Sequence, residues 1–207
     1  MEQVNAIFSV AILIMSVVIH EFAHGYTAWH YGDETAHSLG RLTLNPFKHL
    51  DLFGSVLIPF ILIVTHAPFV FGWAKPVPYN PDNMRNPRVS VPLTALAGVI
   101  ANISIAILFG ILFRVGPMLG IVSSGFYAIV STIVLINLVL GLFNLMPVPP
   151  LDGARVLFAL LPPRFRTLEL QLERFALPIL ILFVVFAWQL FTPFLLFLYS
   201  LLTGSIL

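Results

Sequence analysis

Residues 4–28 read VNAIFSVAILIMSVVIHEFAHGYTA, an apolar run that closes on His20-Glu21-Phe22-Ala23-His24. A helix needs ~20 such residues to cross the hydrocarbon core of a bilayer, so the run predicts a first membrane helix from Val4 to about Ala28. Met1-Glu2-Gln3 lacks the positive start and small-residue cleavage site of a signal peptide, and the helix is expected to be retained. On that helix His20 and His24 stand one turn apart on one face. Two imidazoles so placed can grip one Zn²⁺, with Glu21 on the neighbouring stripe, able to take a proton from water. The plainer alternative is a pair of core histidines and an acid that ends a helix. Ionisable side chains are costly in membrane surroundings, and three together favour a functional reading.

The rest of the composition agrees with a membrane setting. Of 207 residues, 59% are hydrophobic and only 9% charged, against roughly 25% charged in soluble domains. The mean hydropathy of +0.99 marks an integral membrane protein. A net charge of +1, with no Lys/Arg cluster, gives no basis for nucleic-acid binding. Cysteine is absent, which excludes disulfides and Cys₄ metal sites; any metal must use His, Asp or Glu.

Tyr26, Trp29, His30 and Tyr31 follow the motif and suit a membrane–water interface, so His30, like His37, reads as interfacial or loop rather than as a ligand. Leu39-Gly40-Arg41-Leu42-Thr43-Leu44 alternates apolar and polar side chains, which predicts a short strand or hairpin arm, with a turn at Asn45-Pro46. His49 and Asp51 are either a second metal pair or polar contacts at the mouth of the site. Leu52–Val64 is apolar but short for a crossing and contains Pro59. With His66, Phe69-Val70-Phe71 and Gly72-Trp73 to Pro78 it reads as a re-entrant element, Leu52–Pro78. Val91–Phe113 and Gly120–Phe143 are the next spans. Pro147, Pro149 and Pro150 then break the helix beside Asp152. Arg155–Arg174 is short and amphipathic, and Phe175–Leu202, with Pro178 and Pro193, is either one kinked helix or a broken pair.

Charge placement tests this layout. Arg41 and Lys48, then Lys75, Arg85 and Arg88, then Arg155, Arg164, Arg166 and Arg174 fall in three loop regions, leaving Arg114 elsewhere. The positive-inside rule puts all three in the cytoplasm, provided Leu52–Pro78 enters and leaves by one side. The first helix and the Gly120–Phe143 helix then both run inward, and Asp152 arrives at the depth of His20 and His24. A catalytic zinc usually takes three protein ligands and keeps one position open. Asp152 is the acidic residue placed to be the third; taken alone, Asp152-Gly153 would read as a turn and helix cap.

With HEFAH in one membrane helix and Asn144-x-x-Pro-x-Pro-x-Leu-Asp152-Gly153 in a later one, the chain resembles the site-2 protease family of intramembrane zinc metalloproteases. A third family motif, A-G-P-x-x-N, stands here as Ala97-Gly98-Val99-Ile100-Ala101-Asn102, with Val99 in place of the proline. Gly72 to Val77 also looks like the compact bacterial members, and the resemblance spans residues 1 to about 160. It implies one Zn²⁺ per chain on His20, His24 and Asp152, with Glu21 as general base and acid. It further implies that Asn144 holds the substrate or the developing oxyanion and that Asn102 faces the same cavity.

The expected fold is an all-α polytopic membrane protein with about four to six membrane segments, a re-entrant element, and a short strand or hairpin near the site. Residues 1–207 form a single membrane-embedded domain: a core of 1–160, then an amphipathic segment and C-terminal membrane helix over 161–207. Nothing in it corresponds to the family's PDZ or CBS domains. The resemblance implies cleavage of other proteins' transmembrane segments in a bacterial or archaeal membrane; the charge placement puts the site near the cytoplasmic face, and the alternating arm is expected to receive the substrate by strand addition near Gly40, Leu42 and Leu44. A membrane metal-binding or transport protein is the rival reading. It would want polar residues continuing through the bilayer, whereas Val4–Ile19 carries only Asn5, Ser9 and Ser16. A non-catalytic relative that binds membrane helices would have no use for Glu21.

Overall fold

The computed structural model describes residues 2–65 and 74–205; His66 and Phe69 to Trp73 of the expected re-entrant element lie outside them. In chain order come α1 (Glu2–His30), the single turn α2 (Thr35–Ser38), α3 (Ile58–Val64), α4 (Pro87–Val115) and α5 (Ser124–Leu145). After the proline break follow α6 (Asp152–Leu160), α7 (Arg166–Arg174), α8 (Ala176–Leu182) and α9 (Trp188–Thr203). Among the described residues three helical stretches are long and apolar enough to cross a membrane: Ile7–His30, Pro87–Leu119 and Ser124–Leu145. Ala176–Phe186 and Gln189–Thr203 make a fourth if taken together, bent by 67° at their junction. The count is thus three, or four with the bent pair, against the four to six expected.

α4 lies at the centre, packed against α1, α5, α6 and α9. Its sequence explains the close approach: Ser90, Thr94, Gly98, Asn102, Ala106 and Gly110 recur every four residues and are all buried. That spacing lines small and polar side chains along one face, the arrangement that lets membrane helices touch. Farther along, Ala106 joins Val134, Leu138 and Leu142 of α5 and Leu195 and Tyr199 of α9 in an apolar core. Leucines, isoleucines and phenylalanines such as Phe8, Leu108, Ile111 and Phe197 point outward and stay exposed. So much outward apolar surface suits lipid rather than water.

The end of α1 is set by Gly32, whose φ of 102° a residue with a Cβ rarely adopts. Gly32 N–H donates to the Trp29 carbonyl at 2.9 Å and Asp33 N–H to the Ala28 carbonyl at 3.0 Å, closing the helix. Arg85 N–H then donates to the Tyr31 carbonyl at 2.7 Å, immediately before α4 begins. The chain between Gly32 and Asn86 thus leaves and rejoins the bundle at one end. Within it, Leu52–Leu57 forms a wide π-helical turn that runs into α3, and Leu52–Val64 falls short of the ~20 residues of a spanning helix.

One expectation differs. Residues 40–44 run as turns and bends, and no strand occurs among the described residues. Arg41, which an exposed strand would turn to solvent, is buried, and its guanidinium donates to the Lys75 and Pro76 carbonyls at 2.8 and 3.1 Å. Thr43 N–H folds back onto the Arg41 carbonyl at 3.0 Å. Side-chain bonds of this kind replace a strand ladder.

Candidate active site

His20 and His24 project from the last third of α1, and Asp152 opens α6 directly after the Pro147–Pro150 break. Helix periodicity puts the two imidazoles together; the prolines end α5 and bring the carboxylate back to them. His20 Nε2 lies 3.0 Å from Asp152 Oδ2, His24 Nε2 3.1 Å from the same oxygen, and the two Nε2 atoms 3.0 Å apart. All three residues are buried, and each offers one ligand atom to a common point. The rings stand nearly perpendicular, at 84°.

The far side of each ring is held from α4. His24 Nδ1 is 2.6 Å from the Thr94 carbonyl, and His20 Nδ1 is 2.6 Å from Asn102 Oδ1. Both neighbours are acceptors, so each Nδ1 carries its proton and each Nε2 is turned towards the other and towards the carboxylate. Three acceptors at about 3 Å leave a place that only a cation or a proton can fill. Two imidazole nitrogens and a carboxylate oxygen are a donor set that suits zinc. Gly98, between Thr94 and Asn102, makes the approach possible: a Cβ there would stand 2.5 Å from the His20 ring. Gly153 does the same for Asp152, its Cα seated where a Cβ would meet the Leu145 carbonyl oxygen.

Glu21 Oε2 accepts a hydrogen bond from Val77 N–H at 2.8 Å. Glu21, His20, His24, Asp152, Asn144 and Tyr79 line a cleft of about 140 Å³. Asn144, one turn before the proline break, donates to the Leu140 carbonyl at 3.0 Å and is one of the residues lining this cleft. Past Val77, Tyr79 and Arg155 a wider groove of about 740 Å³ opens between the Pro76–Val91 stretch and α6–α7.

The other sequence candidates fall elsewhere. Asn102 is fully buried behind His20. Gly40 and Leu44 are exposed, while the Leu42 side chain packs by Gly25. His30 is exposed and stacks edge-on with Tyr31, and His37 lies against Trp29. His49 Nε2 donates to the Thr43 carbonyl at 2.8 Å, and Asp51 caps the Leu52 turn by accepting from Gly54 N–H at 2.6 Å. Thr94 and Asn137 were not singled out by the sequence, and Val77 entered only as the last residue of the stretch Gly72 to Val77. The four-residue spacing of Thr94, Gly98 and Asn102 was the available signal for the first.

The fold and site define a polytopic membrane protein with a buried His–His–Asp centre and an adjacent glutamate. The family model described as Peptidase family M50 matches residues 113–187. Over 191 residues the chain is 42% identical to a Bacillus subtilis protein named "Putative zinc metalloprotease YwhC", a match covering 90% of this chain and 81% of that one. It is 33% identical over 142 residues to a Mycolicibacterium smegmatis protein named "Putative zinc metalloprotease Rip2", covering 68% of this chain and 52% of the relative. A more distant match, 26% identical over 168 residues, is the zinc metalloprotease MJ0392 of Methanocaldococcus jannaschii, of which 38% is covered. No solved structure matches. The chain belongs to peptidase family M50, the site-2 proteases.

Proposed function

We propose that this protein hydrolyses peptide bonds within or beside transmembrane segments of other membrane proteins, with one Zn²⁺ held by His20 Nε2, His24 Nε2 and Asp152 Oδ2. The observation that carries this reading is the convergence of three lone-pair donors within 3.1 Å, next to a glutamate at one cleft. When bound, zinc would supply Lewis-acid polarisation, lowering the pKa of water from about 15.7 towards about 7. Glu21 takes the proton of the attacking water and delivers it to the leaving amine. The Asn144 amide donates towards the scissile carbonyl as negative charge develops on its oxygen. The cleft is narrow, so a helical substrate must unwind to present its carbonyl there. Its cytoplasmic side would be the end of the bundle that carries most of the Lys and Arg residues. The test is zinc analysis of the detergent-purified protein together with cleavage of a panel of single-span membrane proteins. One zinc per chain and cleavage abolished by Glu21→Gln with zinc retained support the reading. A metal-loaded protein that cuts none of the panel, or an unaffected Glu21→Gln variant, overturns it.

A further inference from the structure

The two histidines are oriented by different means. His24 rests on a backbone carbonyl, which no side-chain substitution removes, whereas His20 rests on the amide of Asn102, which could in principle face it with either oxygen or nitrogen. If the nitrogen faced His20, the ring would have to accept at Nδ1 and carry its proton on Nε2, and the lone pair would be lost from the centre.

We propose that Asn137 of α5 is a positioning residue that fixes the Asn102 amide and, through it, the tautomer of His20. The argument starts at a group with no freedom. The Ile133 carbonyl can only accept, so the Asn137 atom 2.9 Å from it is the amide nitrogen, which also donates to Ser16 Oγ at 2.9 Å. Asn137 Oδ1 is therefore the atom turned to Asn102, 2.8 Å away, and that contact demands the Asn102 nitrogen. The same nitrogen lies 3.4 Å from the Ser16 carbonyl, a second acceptor-only group. Asn102 Oδ1 is left for His20 Nδ1, which must carry the proton. Asn102 and Asn137 are fully buried and Ser16 nearly so. The relay runs from α5 through α4 to α1, and each step is dictated by the one before. Partners that orient a metal-bound imidazole in this way set its basicity and tautomer.

The inference rests on His20 being a metal ligand, and the experiment separates the two. The full chain is labelled with ¹⁵N-histidine, stripped of metal by chelation, and the His20 resonance assigned by its loss in His20→Ala. A proton on His20 Nδ1 is expected in the unaltered chain, whether or not Nε2 also carries one; a bare Nδ1 overturns the relay whatever the metal does, and needs no further variant. Zinc dissociation constants then come from chelator competition. Asn137→Leu should weaken zinc about tenfold and Asn102→Leu by up to about 100-fold, with mixed His20 tautomers in the former. Asn102→Asp offers an acceptor whichever way it turns, so it no longer needs Asn137. The Asn102→Asp/Asn137→Leu double variant should recover a His20 Nδ1–H ring and bind zinc more tightly than Asn137→Leu. A purely structural role for Asn137 predicts the reverse, since two changes disturb packing more than one. A folded Asn137→Leu chain with unchanged zinc affinity and tautomer, or a double variant no better than it, overturns the proposal. An unaltered chain that binds no zinc sinks the metal reading instead, and the tautomer still reports on the relay.

Discussion

Val77 N–H donates to Glu21 Oε2 at 2.8 Å, joining the carboxylate beside the His–His–Asp centre to an irregular segment from a distant part of the chain. That segment is itself pinned: Lys75 N–H donates to the His49 carbonyl at 2.8 Å, and Arg41 holds the Lys75 and Pro76 carbonyls. Gly25 leaves room for it, since a Cβ there would stand 2.7 Å from Val77 Cγ1. The proposed base is thus oriented by a main-chain donor. Val77→Pro removes the donor and Val77→Ala keeps it. Cleavage should fall on the order of 10–100-fold in the proline variant, as small misplacements of catalytic groups cost, and change little in the alanine variant. Zinc content should be unaltered in both. Equal activities for the two variants would show that the Val77 amide does not position Glu21.

Ligand identity is checked by metal content. Asp152→Ala should weaken zinc by more than the ~10–100-fold that loss of an outer partner costs, because one of three donors disappears and two imidazoles are left. His30→Ala and His37→Ala should bind zinc as the unaltered chain does, their rings lying against Tyr31 and Trp29. Zinc retained in Asp152→Ala would move the third ligand elsewhere.

The parts of this site legible in the sequence were those written in local periodicity. His20 and His24 meet because they are four apart on a helix, and three prolines must end α5 where Asp152 follows. Parity of crossings puts those two ends on one side of the bilayer. What could not be read was which groups hold the far sides of the rings. Thr94 acts through its backbone carbonyl, to which its side chain gives no clue, and Asn137 acts at one remove across three helices. The alternation at Leu39–Leu44 misled because Arg41, polar in sequence, is buried by bonds to carbonyls more than thirty residues away.

The contact between Gly98 and His20 gives a test of packing. A methyl at 98 would stand 2.5–2.6 Å from His20 Cε1, Nδ1 and Nε2, so the ring or α4 must shift. Overpacking of this kind costs about 1–3 kcal/mol. Gly98→Ala should lower thermal stability and weaken zinc at least about tenfold. Gly120→Ala is the control: its Cβ would meet nothing, though its φ of 73° imposes a backbone cost, so stability should drop while zinc affinity holds. Zinc affinity unchanged in Gly98→Ala would mean that the ring has slack that this packing does not suggest.

Asp33, just past α1, provides a pH-dependent tie. Burial pushes its carboxyl up, but hydrogen bonds from Thr35, Asn83 and Asn80 outweigh that and hold it below the usual carboxylate value. With the folded-state pKa depressed, the contribution to stability is fully present above the unfolded value of about 3.9. It is lost as pH falls through the folded-state value. Asp33→Asn should therefore cost on the order of 2 kcal/mol at pH 7. The gap between variant and unaltered chain, followed by thermal unfolding in detergent, should narrow as the pH drops below about 4. A gap independent of pH would mean that the carboxylate's charge plays no part in the tie.

The path of the chain through the bilayer decides whether the site can form. The ends of α1 and α5 share a centre, and the Arg85–Tyr31 hydrogen bond brings the start of α4 back to the end of α1. An even number of crossings must therefore lie between Gly32 and Asn86, and Leu52–Val64 falls short of the ~20 residues that a spanning helix needs. Single cysteines report this directly, because the native chain has none. Ser38, Asp82 and Arg166 are exposed at the site end of the bundle and leave the Asp33 cluster intact, and Met118 is exposed in the turn between α4 and α5. With a membrane-impermeant thiol reagent, cysteines at 38, 82 and 166 should behave alike, shielded in intact cells and labelled after lysis. One at 118 should label from outside. Were 82 to label from outside while 38 stayed shielded, the Leu52–Pro78 region would cross the membrane, and His20, His24 and Asp152 could not share one face in the cell. Were all four to reverse together, the site would stand at the outer face with its geometry intact, and only the cytoplasmic orientation would fall.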